Sequence, residues 1–549
     1  MLNAAKTQGD PVPLNEDTLW EVPDIFEKPR YLSDNVQTSI FHIGPSNFFR
    51  AHLAKMAHDI MNNAADNNEP LTMGIIGASL RSPTIKNDLM PQNGLYCLTT
   101  KGVGVEEHEI IGSVRKIICA RENAQEMITA AADPSIKIIT LTVTQKGYYI
   151  GKEGLDIDHQ DIKNCLDPNN PELSTLGLLA HSLNHRRLNG IAPPVIVSCD
   201  NLPNNAAKLK TALAGYAAHV DPELPAWITN NVPFPTTMVD RITPSKSENH
   251  TAEIKALGVV DNNPVLTEPM PKIPFVIEDL SDREGPMGQI FRDSGIMKFA
   301  DDKIGARLSP EVGAYEHMKV SVLNGAHMAL GVVGHQMGYK YSHEAMKDRN
   351  VREFVSQFMD EVIATLEPLK GTDYNKFKAE VMYRLDNEFV CDPLTRLARN
   401  GVDKVGQRFL TTGKKALSLN LPSDCVNFAT AAWLQYTSKL TDDGYLPSQM
   451  PAVTRQREKG LDVDLPNDEK GGAMRFPAMV RDNKNAMAVI FSESTIWGQM
   501  GTEPRFTERV EEHFKDIEED HMPLALTNFV NRDKKDFDSA PGAPSVGMP

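Results

Sequence analysis

The chain has 549 residues, well past the roughly 250–300 at which one hydrophobic core stops growing, so two large domains are expected. Hydrophobic residues make up 41% and charged residues 24%, ordinary globular usage that excludes wholesale disorder. Lys plus Arg number 57 against 73 Asp plus Glu, and a net charge of −16 with scattered basic residues argues against nucleic acid as a partner.

Residues 1–37 are polar and contain Pro, and they read as an N-terminal extension. A short apolar run, Ser39–Ile43, then stops at Gly44. Phe48–Met61 repeats its apolar residues at three- and four-residue steps, as a helix does. Met73–Gly77, Ile136–Val143 and Val195–Cys199 predict further strands, with helices at 121–132 and 204–219 between them. Short apolar runs alternating with helices imply a parallel sheet covered on both faces, so 38–289 is predicted to be a doubly wound α/β domain. Pro264, Pro269, Pro271 and Pro274 punctuate a crossover, and helical patterns follow at 312–336, 343–366, 374–388, 424–437 and 504–518. A mainly α-helical domain over 290–525 is expected, followed by a flexible tail over 526–549.

Six scattered Cys with no CxxC pair predict neither a zinc ribbon nor a disulfide scaffold. The first twenty residues lack the apolar run of a secretory signal, and no stretch reaches the ~20 apolar residues of a membrane helix. A cytoplasmic setting without membrane contact is expected.

Strand, Gly44-Pro-Ser-Asn-Phe-Phe, helix is a context that suits a dinucleotide pyrophosphate, because Gly permits a sharp turn and a helix start offers free N–H groups. Ser46 and Phe49 stand where the fingerprint has its second and third glycines, so the turn taken alone is better read as an ordinary strand-to-helix connection. No acid follows the second strand, where Gly77-Ala-Ser-Leu-Arg-Ser82 stands. A carboxylate there would bind a ribose hydroxyl, whereas Arg81 suits a 2′-phosphate.

The most informative segment runs from Glu316 through Lys319 and Asn324 to His327. Lys319, Leu323 and His327 fall on one helical side, where apolar neighbours would desolvate the amine toward the range of a general base. Asn324 offers an amide N–H to a developing alkoxide, and His327 can hold a hydroxyl. On a straight helix, however, Lys319 and His327 are about 12 Å apart, so one ligand reaches both only if it is several atoms long or the helix is irregular. The same spacing also suits a surface Lys and a satisfied core His. Asp200-Asn201 ends a strand, and Asp240 lies between apolar residues in Thr236–Arg241.

Taken together these segments resemble the polyol-specific long-chain dehydrogenases, the family of mannitol 2-dehydrogenase and of fructuronate (mannonate) and tagaturonate reductases. The resemblance runs from about 38 to 520. Its carriers are Gly44–His52, Thr142–Tyr148, Ser198–Asn201, Phe234–Ile242, Val276–Asp279 and the K-x(4)-N-x(2)-H pattern of Lys319, Asn324 and His327. It implies a Rossmann-like first domain and hydride transfer with NAD, NADP remaining open. Lys319 would be the general base, Asn201 and Asn324 would bracket the reacting oxygen, and Glu316 would relay the proton. His327 and Asp240 would contact substrate hydroxyls. Gly44, Ser46, Asn47, Phe48, Arg81 and Thr144 would line the cofactor site, and no metal is called for.

Two departures stand out: Ser46 replaces a fingerprint Gly, and Gln145 replaces the usual Glu. Asn400–Arg408 is similar to the family's substrate stretch without its Pro, with Lys404 and Arg408 placed to read the far end of the substrate. The expected reaction interconverts a linear polyol and its ketose, of the mannitol–fructose type. A hexuronate (fructuronate or tagaturonate) reductase is the alternative, and a catalytically silent nucleotide- or sugar-binding protein is the rival of another class. A monomer or weak oligomer is expected.

Overall fold

In the computed structural model, which describes residues 10–31, 35–151, 154–166, 173–440 and 475–538, the apolar runs of the first half pair as strands. β1 (Thr38–Ile43), β2 (Gly74–Ser79), β3 (Val114–Cys119), β4 (Ile138–Leu141) and β5 (Val195–Ser198) form one all-parallel sheet in the order β5-β4-β1-β2-β3. Successive side chains leave a strand on opposite faces, and two cores result. Ile40, Ile75, Ile138 and Val195 join one, with the helix Leu53–Asp66. Phe41, Ala78, Ile139 and Ile196 join the other, with the helices Ala120–Ala132, Thr175–Leu188 and Asn205–Ala217. The strand order reverses between β1 and β4, and open parallel sheets hold ligands beyond their carboxyl ends at such a point.

The N-terminal residues are not peripheral where they are described. Val12–Pro13 pairs with Val259–Val260, and Phe26–Glu27 pairs with the edge of a hairpin formed by Tyr96–Gly102 and Val105–Ile111. Leu14, Leu19, Val22 and Phe26 are buried with Leu95, Cys97 and Ile110. Residues 1–9 and 32–34 of the expected extension lie outside the described residues. A further sheet joins Thr237–Val239, Phe275–Glu278 and Arg307–Ser309. The segment after 289, expected in the helical domain, packs here instead: Phe291, Ile296, Phe299 and Ile304 share the core of Ile40 and Ile75. The chain divides into two compact units, Met1–Tyr315 and Glu316–Pro549.

The second unit is helical. Gly325–Gln336 is buried at every position and Asp424–Ser438 from Cys425 to Thr437. The predicted helix 343–366 is split into Ser342–Met346 and Arg349–Ala364, because the Asp348 carboxylate accepts the N–H groups of Asn350 and Val351 and starts a new helix. The last helix, Pro504–Asp538, bends at His521 (φ 59°) just before Pro523. Beyond the bend Leu526, Phe529 and Val530 are buried, so the residues from 526 to 530, expected to be tail, are packed instead. Residues 539–549 lie outside the described residues. No described helix is long and apolar enough to cross a membrane.

Candidate active site

Seven of the predicted residues sit at carboxyl ends of the parallel strands. Gly44, Ser46, Asn47 and Phe48 follow β1, Arg81 follows β2, Thr144 follows β4 and Asn201 follows β5. Gly44 has φ +88°, and a Cβ there would stand 2.4 Å from the Thr142 carbonyl oxygen, so only glycine lets the chain turn this close to β4. Ser46 caps the short helix Asn47–Ala51, its Oγ accepting the Phe49 N–H at 3.3 Å. The side chain that departs from the glycine pattern thus folds back onto the helix. Asn47 donates to the Pro244 carbonyl at 3.2 Å, and Phe48 stacks on His52 with ring centroids 4.9 Å apart. Arg50 and His52 of the same motif are structural ties: Arg50 donates to Asn263 Oδ1 at 2.8 Å, and His52 Nε2 donates to the Pro274 carbonyl at 2.9 Å.

Beyond β4 the backbone is strained, with φ 62° at Thr144 and 48° at Tyr149. A β-branched residue in this region costs about 1–3 kcal/mol and persists only where its surroundings hold it. Asp200 does the holding. Its carboxylate accepts the N–H of Thr144 at 2.8 Å, the N–H of Val143 at 3.2 Å and the Tyr148 hydroxyl at 2.8 Å. Burial pushes the Asp200 carboxyl up, against the pull of those three bonds. Asn201, the next residue, is exposed. Sequence reasoning gave Asp200 no role; the available signal was an acid ending an apolar strand. Arg81 donates through Nη2 to Asp161 Oδ2 at 2.9 Å and to the Tyr149 hydroxyl at 3.4 Å. Asp240, after Thr237–Val239, is 7% exposed, with its N–H on the Pro274 carbonyl at 2.8 Å.

In the second unit the helix is irregular at Lys319, one of the two alternatives the spacing left open. Lys319–Asn324 is a π-helical segment between Val312–Met318 and Gly325–Gln336. In an α-helix five residues leave side chains about 140° apart, whereas i→i+5 winding returns the fifth toward the side of the first. That is the spacing of Lys319 and Asn324. Lys319 is 5% exposed, and Glu316, one turn earlier, is partly buried. His327 donates from Nδ1 to the Leu323 carbonyl at 2.8 Å, which leaves Nε2 as an acceptor. Burial lowers its pKa to about 4, so the ring is neutral at ordinary pH.

A second π-segment, Gly406–Leu410, carries Arg408, whose Nη1 donates to the Asn324 carbonyl at 3.1 Å. Desolvation, with the nearby charge of Arg396, lowers the Arg408 pKa to about 10. Arg408 forms no ion pair among the described residues. Lys404 instead turns to the carbonyl of Arg399 in its own turn. Among the described residues no group of three or more His, Cys, Asp or Glu is arranged to hold a metal ion.

Both units match known proteins. Residues 38–286 match the mannitol dehydrogenase Rossmann domain and 311–518 the mannitol dehydrogenase C-terminal domain. The mannitol 2-dehydrogenase of Aspergillus fumigatus (strain CBS 144.89 / FGSC A1163 / CEA10) is 30% identical over 509 residues, spanning 90% of this chain and 94% of its own. That of Aspergillus terreus is 28% identical over 539 residues, spanning 95% of this chain and 100% of its own. Among solved structures, Pseudomonas fluorescens mannitol 2-dehydrogenase in ternary complex with NAD and D-mannitol is similar at a TM-score of 0.75 and 27% identity, covering 95% of this chain and 100% of that one. A D-sorbitol dehydrogenase shares the fold at a TM-score of 0.78 and 24% identity, covering 94% of this chain and 100% of that one. With both domains matched in order, the chain belongs to the mannitol dehydrogenase family of oxidoreductases acting on CH–OH groups.

Proposed function

We propose that the chain is an NAD(P)-dependent dehydrogenase interconverting a linear polyol and its ketose, of the mannitol–fructose type. The observation that carries this reading is a buried amine, Lys319, opening a π-wound turn that ends at Asn324, with the neutral imidazole of His327 three residues on. A bound nicotinamide would supply the hydride acceptor. Lys319 takes the proton of the reacting hydroxyl, and Glu316 passes it toward solvent. Asn201 and Asn324 each offer an amide N–H to an oxygen that gains charge as its proton leaves. His327, through Nε2, and Asp240 accept substrate hydroxyls. Gly44, Ser46, Asn47, Phe48, Arg81 and Thr144 would hold the dinucleotide, and the Cβ-free approach of Gly44 to Thr142 fits a backbone cradle for pyrophosphate. The scheme assigns no step to a metal.

Replacing Lys319 with Ala tests the reading: turnover should fall by about a thousandfold or more while dinucleotide binding persists. Retained turnover would end the proposal, and a protein that binds but never turns over would be the silent binder instead. A hexuronate is the second reading, favoured by Arg408, a largely desolvated guanidinium beside Arg396 with no carboxylate partner among the described residues. Offering D-fructose and D-fructuronate with reduced cofactor, and following nicotinamide absorbance, separates the two.

A further inference from the structure

A cleft of about 730 Å³ opens at the carboxyl ends of β2 and β3, between Arg81, Arg121, Tyr149 and Asp161. In a sheet of this strand order the ribose of a dinucleotide's adenosine lies against the residues that follow the second strand. A carboxylate at that place accepts the 2′-hydroxyl and repels a 2′-phosphate. Here the residues after β2 are Leu80-Arg81-Ser82, with no acid among them.

The two carboxylates on the cleft wall are both committed elsewhere. Glu122 pairs with Lys86, and Asp161 accepts from Arg81 at 2.9 Å and from the Tyr149 hydroxyl at 3.2 Å. Arg81 spends only Nη2 on these contacts, and its side chain is 73% exposed. The Nε and Nη1 donors remain to grip a second anion in the fork geometry that suits phosphate. Arg121, also exposed, makes no ion pair among the described residues. One cleft therefore holds two arginines with unused donors and no unused acid.

We infer that the chain takes the 2′-phosphorylated dinucleotide, NADP(H), in preference to NAD(H), with Arg81 and Arg121 as the residues that set the choice. The inference rests on the dinucleotide reading of the first unit proposed above. Asp161 opposes a phosphate by like charge, and Arg81 bridges the two anions rather than abandoning the first.

The test is direct titration with NADPH and with NADH, followed by nicotinamide fluorescence at fixed ionic strength. The wild-type chain should bind NADPH at least tenfold more tightly. Arg81→Ala and Arg121→Ala should each lower the NADPH affinity about tenfold or more and shrink the NADPH-to-NADH ratio. Because Arg121 ties no elements together by an ion pair, its loss separates phosphate recognition from folding, and Arg81→Lys should keep part of the preference. Equal or tighter binding of NADH by the wild-type chain overturns the inference while leaving the dinucleotide reading intact. Variants that weaken both cofactors equally overturn it too, by assigning Arg81 to the Asp161–Tyr149 contact alone. Binding of neither cofactor overturns this inference together with the reading beneath it.

Discussion

Asp200→Asn is nearly isosteric, yet it removes the group that holds the strained turn after β4. Both carboxylate oxygens are in use: Oδ1 takes the Thr144 N–H at 2.8 Å, and Oδ2 takes the Val143 N–H at 3.2 Å and the Tyr148 hydroxyl at 2.8 Å. Whichever way the amide is turned, its NH₂ faces one backbone N–H. With the oxygen kept on Thr144, Tyr148 can donate to Ser198 and accept from the amide, so that pair adapts. The Val143 N–H cannot. A buried donor left without an acceptor costs about 1–3 kcal/mol, and loss of charge assistance at Thr144 adds about 1 kcal/mol. Relief of the desolvation that raises the Asp200 carboxyl offsets part of this. A net loss near 2 kcal/mol is expected. Urea unfolding followed by circular dichroism measures it, and dinucleotide titration should show affinity about tenfold weaker as Thr144 relaxes from φ 62°. An unfolding midpoint and an affinity both equal to wild type would refute the claim that this carboxylate holds the turn.

Two further substitutions test other parts of the argument. His327 has a pKa lowered to about 4 by burial, so it is neutral throughout pH 6–9. His327→Asn should therefore raise KM for the polyol about tenfold by removing a hydroxyl acceptor, yet leave the limbs of the pH–rate profile in place; a vanished limb would give that titration to His327. At Asp424 burial opposes ionisation, but hydrogen bonds from Arg509 at 2.8 and 3.0 Å and the charge of Arg532 at 2.8 Å hold the carboxyl well below its usual value. A carboxyl so depressed contributes its full stabilisation above the unfolded value of about 3.9 and loses it as pH falls through the folded one. Asp424→Asn should lower stability by about 2 kcal/mol at pH 7 and by progressively less below pH 4, as read from urea midpoints across that range.

The parallel sheet was legible because doubly covered strands are continuous apolar runs, and Ile138–Leu141 and Val195–Ser198 are buried at every residue. The N-terminal strands were not. Their buried residues, Leu14, Leu19, Val22 and Phe26, are single apolar positions among polar ones. What makes Val12 and Phe26 strand residues is pairing with Val259 and His108, which no local pattern reveals. The same holds for the end of the first core. Phe299 lies in a stretch of mixed polarity, and its burial in the core of Ile40 and Ile75, with an edge-to-face contact to Phe275 at 6.5 Å between centroids, assigns it to the sheet. At the site, Gly44 and Thr144 were readable as positions, but the carboxylate of Asp200 that joins the ends of β4 and β5 needed the fold.

The π-segment shows how a spacing can be recognised before its geometry is. Lys319 and Asn324 are five apart, a separation that an α-helix turns to different sides. A helical reading of Glu316–His327 therefore paired Lys319 with Leu323 and His327 by steps of four, and left Asn324 off that face. With i→i+5 winding the five-residue step becomes the one that returns to the same side. The residues themselves do not force this, since Lys-Val-Ser-Val-Leu-Asn suits either winding. The packing around them differs from that of a simple helix. Gly325 closes the segment, and a Cβ there would stand 3.3 Å from both the Arg408 carbonyl oxygen and Phe358. Arg408 in turn donates to the Asn324 carbonyl from a π-segment of its own. Two loosened turns thus meet where neither could be read from its own residues.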